Sequence, residues 1–521
     1  MTSIPEKSLN SLQWKAACSA AKQIAEGWNH AGHPGGAIAL FDAKGLQGEV
    51  CAGLANLTTR EPFSLDSVVR FASVTKHIFA ALSLLRSESG LSLDDTLGKY
   101  LPTLQAPMSD VTIGQALDMT GGLPDVRETL SLLGVSVYNV SDPEPILDFL
   151  AQMGNLNFPA GEGLSYSNTG YRLVETILQR QGLQFADLID QYIAKPLSIN
   201  LFAPESWFDI VPDLAPGYWL AKDGWKTASA GLHLSASGSL AGSLRSLMTW
   251  LQALLTNRGP GAGVLDALTS PRFLNDGTQT GYGLGLAKTK IGGYTLYGHG
   301  GSHLGYKTYF LLEPRQQIGL ALVSNRDDTD SFAALIEIAA TLLNAPLPRR
   351  STALQDGLYV SHAEPYWLAI NNGVANYLGT SENLYQGEDG SAVSLSAHMP
   401  IRLEQKGPLI EGEIGHAKRF FKPIESTDFL HMIQGRWYHA ESKSAFDIID
   451  DQLLMGVGTL RTAGKLTSLG QGRLLVEMSD GPWQKSFCLY FQGYNVQLIS
   501  NRSRVLTFRR EECRISWQPA G

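Results

Sequence analysis

The sequence has 521 residues, which is too long for a single hydrophobic core and indicates roughly three or four domains. Hydrophobic residues make up 44% and charged residues 17%, as in folded globular domains and unlike a disordered chain. The net charge is −8, and lysines and arginines are scattered along the chain. Nucleic acid is therefore not expected as a partner.

The first ten residues carry Glu6 and Lys7 and lack the apolar core of a signal peptide, and no apolar run of membrane-spanning length follows. We expect a cytoplasmic protein that does not associate with membranes. The four cysteines form no Cys-x-x-Cys pair, which favours buried free thiols over zinc or a disulfide framework. They are Cys18, Cys51, Cys488 and Cys513.

Helical and strand patterns alternate up to about residue 345, which predicts an α/β or α+β domain. Glycines at 292 and 293 indicate a hairpin turn, and the spacing after it predicts two more antiparallel strands and a closing helix. The predicted helices are residues 14–28 and 332–343, and the predicted strands are residues 36–41, 281–286, 294–297, 306–312 and 318–323.

A proline-containing linker at 344–350 predicts a domain boundary after residue 345. Beyond it, short β-rich runs separated by Gly, Asp and Asn are typical of antiparallel barrels or sandwiches. Similar segments begin at Gly357 and at Gly435, which indicates two related β-domains. The predicted domains are therefore 1–345, 346–432 and 433–521.

Ser73-x-x-Lys76 is the first candidate for catalytic chemistry. A serine hydroxyl needs a base within hydrogen-bond reach, and residues three apart on a helix share one face. The N-terminus of that helix also offers backbone N–H groups to an oxyanion. Alone, the motif fits equally a helix cap beside a solvated lysine.

Two further segments hold polar groups on rigid backbone. Tyr166 and Asn168 follow a turn-rich stretch that ends at Glu162, although a half-buried tyrosine beside a turn asparagine fits the same pattern. The segment His299-Gly300-Gly301-Ser302 ends a strand, where glycines allow a substrate backbone to approach, and a plain strand end is the alternative. His299 and His303 lack an obvious third ligand for zinc, so no metal is expected.

In this order, the three elements resemble the active-site motifs of class C β-lactamases, penicillin-binding DD-peptidases and related esterases. The resemblance extends over the first 345 residues, for example at Thr120-Gly121-Gly122. It implies a β-lactamase-like α/β domain with an antiparallel sheet, in which Ser73 is acylated and Lys76 and Tyr166 transfer its proton. The backbone N–H groups of Ser73 and Ser302 would form the oxyanion hole.

Many members of that family have lysine where this chain has His299, and a mostly neutral imidazole weakens an anchor for a substrate carboxylate. The arrangement with two β-domains resembles bacterial D-aminopeptidases, whose additional domains are antiparallel β-barrels. In those enzymes a loop of the last domain reaches the active site and carries an acid that holds the substrate amino group. The matching stretch, 476–483, offers Asp480, which also fits a solvated turn aspartate.

Three hypotheses follow. The first, implied by the resemblance, is an N-terminal exopeptidase for D-residues that acts on small peptides or amino-acid amides, without a cofactor and as a homodimer. Its expected catalytic residues are Ser73, Lys76, Tyr166 and His299, and its expected substrate-binding residues are Asn168, Gly300, Gly301, Ser302 and Asp480. The second is an esterase or DD-carboxypeptidase. The third is a non-catalytic penicillin-recognising scaffold, which the intact Ser73, Lys76 and Tyr166 disfavour.

Overall fold

The computed structural model describes residues 11–86, 89–362, 364–425 and 430–511. Its first region holds twelve helices among the described residues. They are α1 (Trp14–Glu26), α2 (Thr75–Ala81), α3 (Leu97–Tyr100), α4 (Ile113–Leu117), α5 (Val126–Leu132), α6 (Pro143–Met153), α7 (Thr169–Arg180), α8 (Phe185–Ile189), α9 (Lys195–Leu197), α10 (Leu244–Thr256), α11 (Val264–Leu268) and α12 (Ser331–Leu342).

The strands of this region are β1 (Gly36–Asp42), β2 (Gly45–Ala52), β3 (Leu54–Asn56), β4 (Glu61–Pro62), β5 (Val68–Arg70), β6 (Leu201–Phe202), β7 (Tyr218–Ala221), β8 (Gly224–Thr227), β9 (Ala241–Ser243), β10 (Ala287–Ile291), β11 (Tyr294–His303), β12 (Tyr306–Glu313) and β13 (Ile318–Ser324). Six of them form the central antiparallel sheet, in the order β10-β11-β12-β13-β1-β2. The N-terminal strand β1 thus lies between β2 and β13, so the sheet joins the beginning of the first region to its end.

Both faces of this sheet are buried, because alternate residues of a strand point to opposite sides. In β1, Ala37, Ala39 and Phe41 join the core beneath the helical region. Ile38 and Leu40 join a second core with α1 and α12. The sheet therefore separates two hydrophobic layers and holds β11 rigidly at the edge of the helical region.

Two closed antiparallel barrels of eight strands each follow. The first consists of β14 (Gly357–Ser361), β15 (Trp367–Asn371), β16 (Val374–Tyr377), β17 (Thr380–Gln386), β18 (Ala392–Ser394), β19 (Ile401–Lys406), β20 (Leu409–Ile414) and β21 (Ala417–Pro423). The second consists of β22 (Gly435–His439), β23 (Ser444–Ile449), β24 (Gln452–Met455), β25 (Thr462–Gly470), β26 (Arg473–Asp480), β27 (Trp483–Gln492), β28 (Asn495–Ile499) and β29 (Leu506–Arg510).

The predicted fold class, an α/β domain with an antiparallel sheet followed by two antiparallel barrels, is confirmed. The two similar sequence segments occupy the same place, since Gly357 begins the first strand of one barrel and Gly435 the first strand of the other. The proposed boundaries after residues 345 and 432 fall between the last helix and the first barrel, and between the two barrels.

Two sequence predictions are corrected. Residues 281–286 form a loop, and the hairpin strand begins only at Ala287. Gly285 explains the difference, because its φ is 78° and a Cβ there would lie 2.6 Å from the backbone nitrogen of His77. The predicted loop 476–483 is mostly strand, as β26 and β27 leave only Gly481 and Pro482 in the turn.

The barrels dock on the helical region through hydrogen bonds as well as apolar contacts. The backbone N–H of Leu164 donates to the carbonyl of Gly415 in the first barrel (2.9 Å). In the second barrel, the hydroxyl of Ser503 lies 2.8 Å from that of Thr129 at α5. Both barrels therefore meet the first domain on the side that carries the residues 120–170.

Candidate active site

Ser73 lies in a 3-10 turn, Ala72–Val74, directly before α2. The preceding Ala72 has a φ of 49°, a left-handed conformation that is unfavourable for alanine and that turns the serine out of the regular helix. The turn abuts β11 so closely that a Cβ at Gly301 would lie 2.0 Å from the carbonyl oxygen of Phe71. Only glycine fits at position 301, so the segment His299–Ser302 lies directly against the turn that carries Ser73.

Lys76 is fully buried, and its Nζ has three oxygen neighbours. They are Ser73 Oγ at 3.0 Å, Asn168 Oδ1 at 2.8 Å and the carbonyl oxygen of Ser237 at 2.6 Å. Burial lowers the pKa of Lys76 well below its usual 10.5, Arg502 and Arg127 lower it further, and Asp125 acts in the opposite direction. A neutral amine donates two hydrogens and keeps one lone pair.

Asp125 fixes the orientation of Asn168. Its Oδ2 accepts hydrogen bonds from both the backbone N–H and the side-chain Nδ2 of Asn168, each at 2.7 Å. The amide oxygen of Asn168 must then face Lys76. With Asn168 and Ser237 accepting from Lys76, the remaining lone pair of a neutral Lys76 is directed at the Ser73 hydroxyl.

Tyr166 lies beside the same hydroxyl. Burial raises the pKa of Tyr166 above its usual 10.0, while its hydrogen bond with Ser73 and the positive charge of Arg502 lower it. The Nζ atom of Lys76 lies 4.9 Å from the centre of the Tyr166 ring. The structure thus brings Ser73, Lys76, Tyr166 and Asn168 together, as the sequence motifs predicted.

His299 occupies a different position from the other motif residues. Its imidazole is fully buried, with Nε2 2.8 Å from the hydroxyl of Tyr282 and Nδ1 2.6 Å from the carbonyl oxygen of Gly300. Burial lowers the pKa of His299 well below its usual 6.5, and the nearby side chains of His398 and Lys76 lower it further, so the ring is neutral. It lies behind Tyr166, with the two ring centres 6.0 Å apart, and none of its side-chain hydrogen bonds to described residues reaches Ser73.

A cavity of about 810 Å³ opens from Ser73. The predicted residues Tyr166, Asn168, His299, Gly300, Gly301 and Ser302 line it. The first barrel contributes Glu382 and His398, and the second contributes Arg502 and the hairpin tip at Pro482 and Trp483. All three domains therefore form the wall around the candidate nucleophile.

Asp480 does not line this cavity, which corrects the predicted position of its carboxylate. Its Oδ1 accepts a hydrogen bond from the hydroxyl of Ser136 (2.8 Å), and its Oδ2 accepts one from the backbone N–H of Val137 (2.6 Å). Both oxygens are thus used to attach the β26–β27 hairpin to the loop after α5. The hairpin reaches the cavity with Pro482 and Trp483 instead.

No sequence motif pointed to three groups that the tertiary structure brings to the site. The guanidinium of Arg502 lies 4.7 Å from the ring centre of Tyr166, and the ring of His398 lies 5.5 Å from it. Arg502 stands between short polar residues, two positions before Arg504, and His398 follows a serine-rich turn. The carbonyl of Ser237 was recognisable only as part of a small-residue turn, 235–239.

No group of three or more His, Cys, Asp or Glu side chains in the described part of the chain is placed to hold a metal ion. None of the described helices has the length and apolar character to cross a bilayer. Cys18, Cys51 and Cys488 are free thiols, and Cys513 lies outside the described residues.

Curated relatives share about a quarter of the residues they align with. A D-aminopeptidase of Gluconobacter oxydans (strain 621H) is 26% identical over 338 residues, 64% of this chain and 63% of the relative. A D-aminopeptidase of Cereibacter sphaeroides (strain ATCC 17029 / ATH 2.4.9) is 23% identical over 311 residues, 59% of this chain and 60% of the relative. The matches thus span less than two thirds of the relatives' own length.

Solved structures share the fold. An octameric penicillin-binding protein homologue from Pyrococcus abyssi superposes with a TM-score of 0.54 at 19% identity, covering 95% of this chain and 99% of that one. The D-amino acid amidase from Ochrobactrum anthropi SV3, complexed with D-phenylalanine, gives 0.51 at 22% identity, covering 63% of this chain and 97% of that one.

A family model described as "Beta-lactamase" matches residues 20–344, well over half of the chain. The match contains the Ser73, Tyr166 and His299 segments, whose geometry is described above, and agrees with the resemblance in the sequence motifs. The chain therefore belongs to the beta-lactamase family.

Proposed function

We propose that this protein is a serine hydrolase that releases N-terminal D-amino acids from small peptides or amides through an acyl-enzyme on Ser73. The observation that carries the proposal is the 3.0 Å distance between Ser73 Oγ and Lys76 Nζ, together with the two acceptors that occupy the hydrogens of a neutral lysine. A buried amine with a lowered pKa is a suitable general base.

In the first half of the reaction, Ser73 Oγ attacks the substrate carbonyl while its proton passes to Lys76. The C–N bond breaks, and Tyr166 relays a proton to the departing amine. In the second half, water attacks the ester carbonyl and passes a proton to Lys76. The C–O bond of the ester breaks, and Tyr166 relays that proton to Ser73 Oγ, so that the acid is released and Ser73 is regenerated. The backbone N–H groups of Ser73 and Ser302 are the proposed donors to the oxyanion.

The relatives named D-aminopeptidase support the D-amino acid substrate class. Such a substrate carries a free ammonium, which needs a carboxylate in the cavity. Four cavity carboxylates already accept hydrogen bonds from charged or backbone groups: Asp125, Glu128, Asp327 and Asp330. We assign the ammonium to the fifth, Glu382, whose side-chain partner is the neutral hydroxyl of Ser396.

The pKa of Glu382 agrees with such a role. Burial, together with the charge of Asp330, raises it from the usual 4.5 to about 8, while the Ser396 hydroxyl lowers it. A buried carboxyl with a raised pKa has no nearby cation that stabilises its ionised form. A substrate ammonium would supply that cation and restore the ionised form.

A DD-carboxypeptidase is the second candidate, and one observation favours it. Arg127 and Arg502 line the cavity near Tyr166, so the site has cations for a substrate carboxylate although His299 replaces the family's lysine. The two candidates differ in the end of the substrate they recognise, because one needs a free amine and the other a free carboxylate.

Release of p-nitroaniline from D-alanine and L-alanine anilides, each with an N-acetylated control, tests the proposal. We expect hydrolysis of the D-alanine anilide with the free amine, and no turnover by Ser73→Ala with an unchanged circular dichroism spectrum. Mass spectrometry of the wild type should detect the acyl group on Ser73. Preferential hydrolysis of N-acyl-D-alanyl-D-alanine would favour the carboxypeptidase, and activity in Ser73→Ala would exclude both.

The proposed assembly is a homodimer, whereas the Pyrococcus abyssi homologue is octameric. Light scattering coupled to size-exclusion chromatography distinguishes the two assemblies by mass.

A further inference from the structure

Residues 235–240 form a turn that presents the carbonyl oxygen of Ser237 to Lys76 Nζ, at 2.6 Å. The backbone N–H of Gly238 donates to the carbonyl of Ser235 (2.8 Å) and closes the turn. The peptide group between Ser237 and Gly238 is thus bonded on both sides, through its C=O to Lys76 and through its N–H to Ser235. The direction of the Ser237 carbonyl therefore depends on how this 235–240 turn is held in place.

The two ends of the 235–240 turn are bonded to helices of the first domain. Near its start, the backbone N–H of Ala236 donates to Glu175 Oε2 on α7 (2.9 Å). At its end, the backbone N–H of Leu240 donates to Thr75 Oγ1 on α2 (3.0 Å). Neither of these bonds involves the peptide groups in the middle of the turn.

His303 makes the contact in the middle of the turn. It is buried at the end of β11, and its Nε2 lies 2.8 Å from the carbonyl oxygen of Gly238. Burial lowers the pKa of His303 well below its usual 6.5, so the ring is neutral and carries one N–H. Because a carbonyl only accepts, that hydrogen is on Nε2. The other nitrogen, Nδ1, has no hydrogen-bond partner among the described residues, so the ring's one donor is used for the turn.

The 235–240 turn packs closely between His303 and the segment that precedes α2. A Cβ at Gly238 would lie 3.3 Å from His303 Nε2 and 3.5 Å from the backbone carbon of Ala72. His303 directly follows Ser302, whose backbone N–H is a proposed donor to the oxyanion. One hydrogen bond therefore joins the strand of the proposed oxyanion donor to the turn that carries the acceptor for Lys76.

We propose that His303 is a positioning residue of this site, whose Nε2–H holds the 235–240 turn so that the Ser237 carbonyl faces Lys76. The inference rests on the proposed function, because it takes Lys76 to be the general base. While this carbonyl accepts one of the two hydrogens of a neutral lysine, the lone pair stays directed at Ser73. A shifted turn would let the amine rotate, and the lone pair would no longer be held in line with the hydroxyl.

Labelling of Ser73 with a rhodamine-tagged alkyl fluorophosphonate tests this inference without assuming a particular substrate. The serine oxygen displaces fluoride from phosphorus and gives its proton to the base, so the rate constant reports how well the hydroxyl is activated. His303→Phe and His303→Leu remove the donor, and each should lower the rate constant about 10- to 100-fold. His303→Gln has an amide N–H at a similar distance from the backbone. Its rate constant should be closer to the wild type than to either donorless variant.

The pH dependence of labelling separates positioning from a general loss of stability. An acceptor at Lys76 Nζ favours the ammonium form, so a displaced carbonyl should lower the pKa of Lys76. The acid limb of the labelling profile should then shift to lower pH in His303→Phe. The charged groups that act on Lys76 are Asp125, Arg502 and Arg127, and all three remain in each variant.

His439→Phe is the matched control, because it removes a histidine bond to Ser442 in the second barrel, outside the cavity (2.8 Å). It should leave both the rate and its pH dependence unchanged. Wild-type rates in the donorless variants, an unshifted acid limb, or a loss that His303→Gln does not reverse would each overturn the positioning role. Failure of both donorless variants to fold, seen by circular dichroism, would make His303 structural and overturn it too. No labelling of Ser73 in the wild type would instead overturn the proposed nucleophile, and the inference with it.

Discussion

The guanidinium of Arg502, in the second barrel, lies 4.7 Å from the ring centre of Tyr166 in the first domain. Backbone bonds hold it there, because the N–H of Arg502 donates to Glu128 (2.7 Å) and its carbonyl accepts from the N–H of Asp125 (2.8 Å). A residue more than 300 positions away in the chain thus places a positive charge beside the candidate proton-transfer groups.

Replacing this charge should change the pH dependence of hydrolysis. Arg502 lowers the pKa of Lys76, and the proposed general base is active only when neutral. Arg502→Gln should therefore raise the pKa of Lys76 and shift the acid limb of the kcat/KM profile to higher pH. Arg509→Gln, an exposed arginine of the same barrel, is the matched control. Coincident profiles for the two variants would contradict an electrostatic role for Arg502.

Lys76 and Tyr166 should behave as one proton-transfer unit. Each single change, Lys76→Ala or Tyr166→Phe, is expected to lower kcat by about 10²- to 10⁴-fold, and the double change should add little. The reason is that both contact the hydroxyl of Ser73, so removing either interrupts the same transfer. Single-turnover rates of the four proteins measure the coupling. Losses that multiply in the double variant would show two independent roles.

Substitutions of Glu382 and of Asp480 should affect the recognition of the substrate amine differently. If the ammonium binds Glu382, then Glu382→Gln should lower kcat/KM for a free-amine D-alanine anilide by about 10- to 150-fold relative to the N-acetylated anilide. Asp480→Asn serves as the matched carboxylate change, because both oxygens of Asp480 bind Ser136 and Val137. It should change both substrates in equal proportion. If Asp480→Asn instead impaired the free-amine substrate selectively and Glu382→Gln did not, the ammonium would bind at the hairpin of the second barrel.

Stability should depend on the ionisation of Glu175. Burial raises the pKa of its carboxyl from the usual 4.5 to about 7, against the backbone N–H of Ala236 and the charge of Arg172, which lower it. Because the folded-state pKa is the higher one, the folded protein binds more protons between these values. The resulting contribution of Glu175 to the free energy of unfolding is fully present below pH 4.5 and is lost as the pH rises through 7.

The shift corresponds to roughly 3 kcal/mol at most. Chemical denaturation at pH 5 and pH 8 should show a smaller loss of unfolding free energy for Glu175→Gln than for the wild type. Glu144→Gln, at the exposed start of α6, controls for the loss of a carboxylate elsewhere. An equal decrease in all three proteins would exclude Glu175 as the cause.

Local patterns in the sequence were sufficient for the elements that carry the proposed chemistry. Ser73 and Lys76 are three residues apart, in the 3-10 turn and in the helix that follows it, and this spacing predicted their contact from the sequence. The barrel strands were likewise visible as short β-rich runs, since each strand closes on its neighbours in the chain. The prediction of a strand at residues 281–286 was wrong because the glycines of this segment bend the backbone around α2. The alternating pattern of a strand carries no information about such a tertiary contact.

The sequence by itself therefore determined the family, the fold class and the grouping of Ser73, Lys76, Tyr166 and Asn168. Only the tertiary structure decided which barrel residues face the cavity. Asp480 was predicted to lie on a loop that enters the active site, but it ends strand β26 and its carboxylate binds Ser136 and Val137. Arg502 and His398 reach Tyr166 instead. Such contacts depend on how the three domains pack against one another. Contacts between domain surfaces produce no regular hydrophobic spacing in the sequence, so the sequence pattern does not predict them.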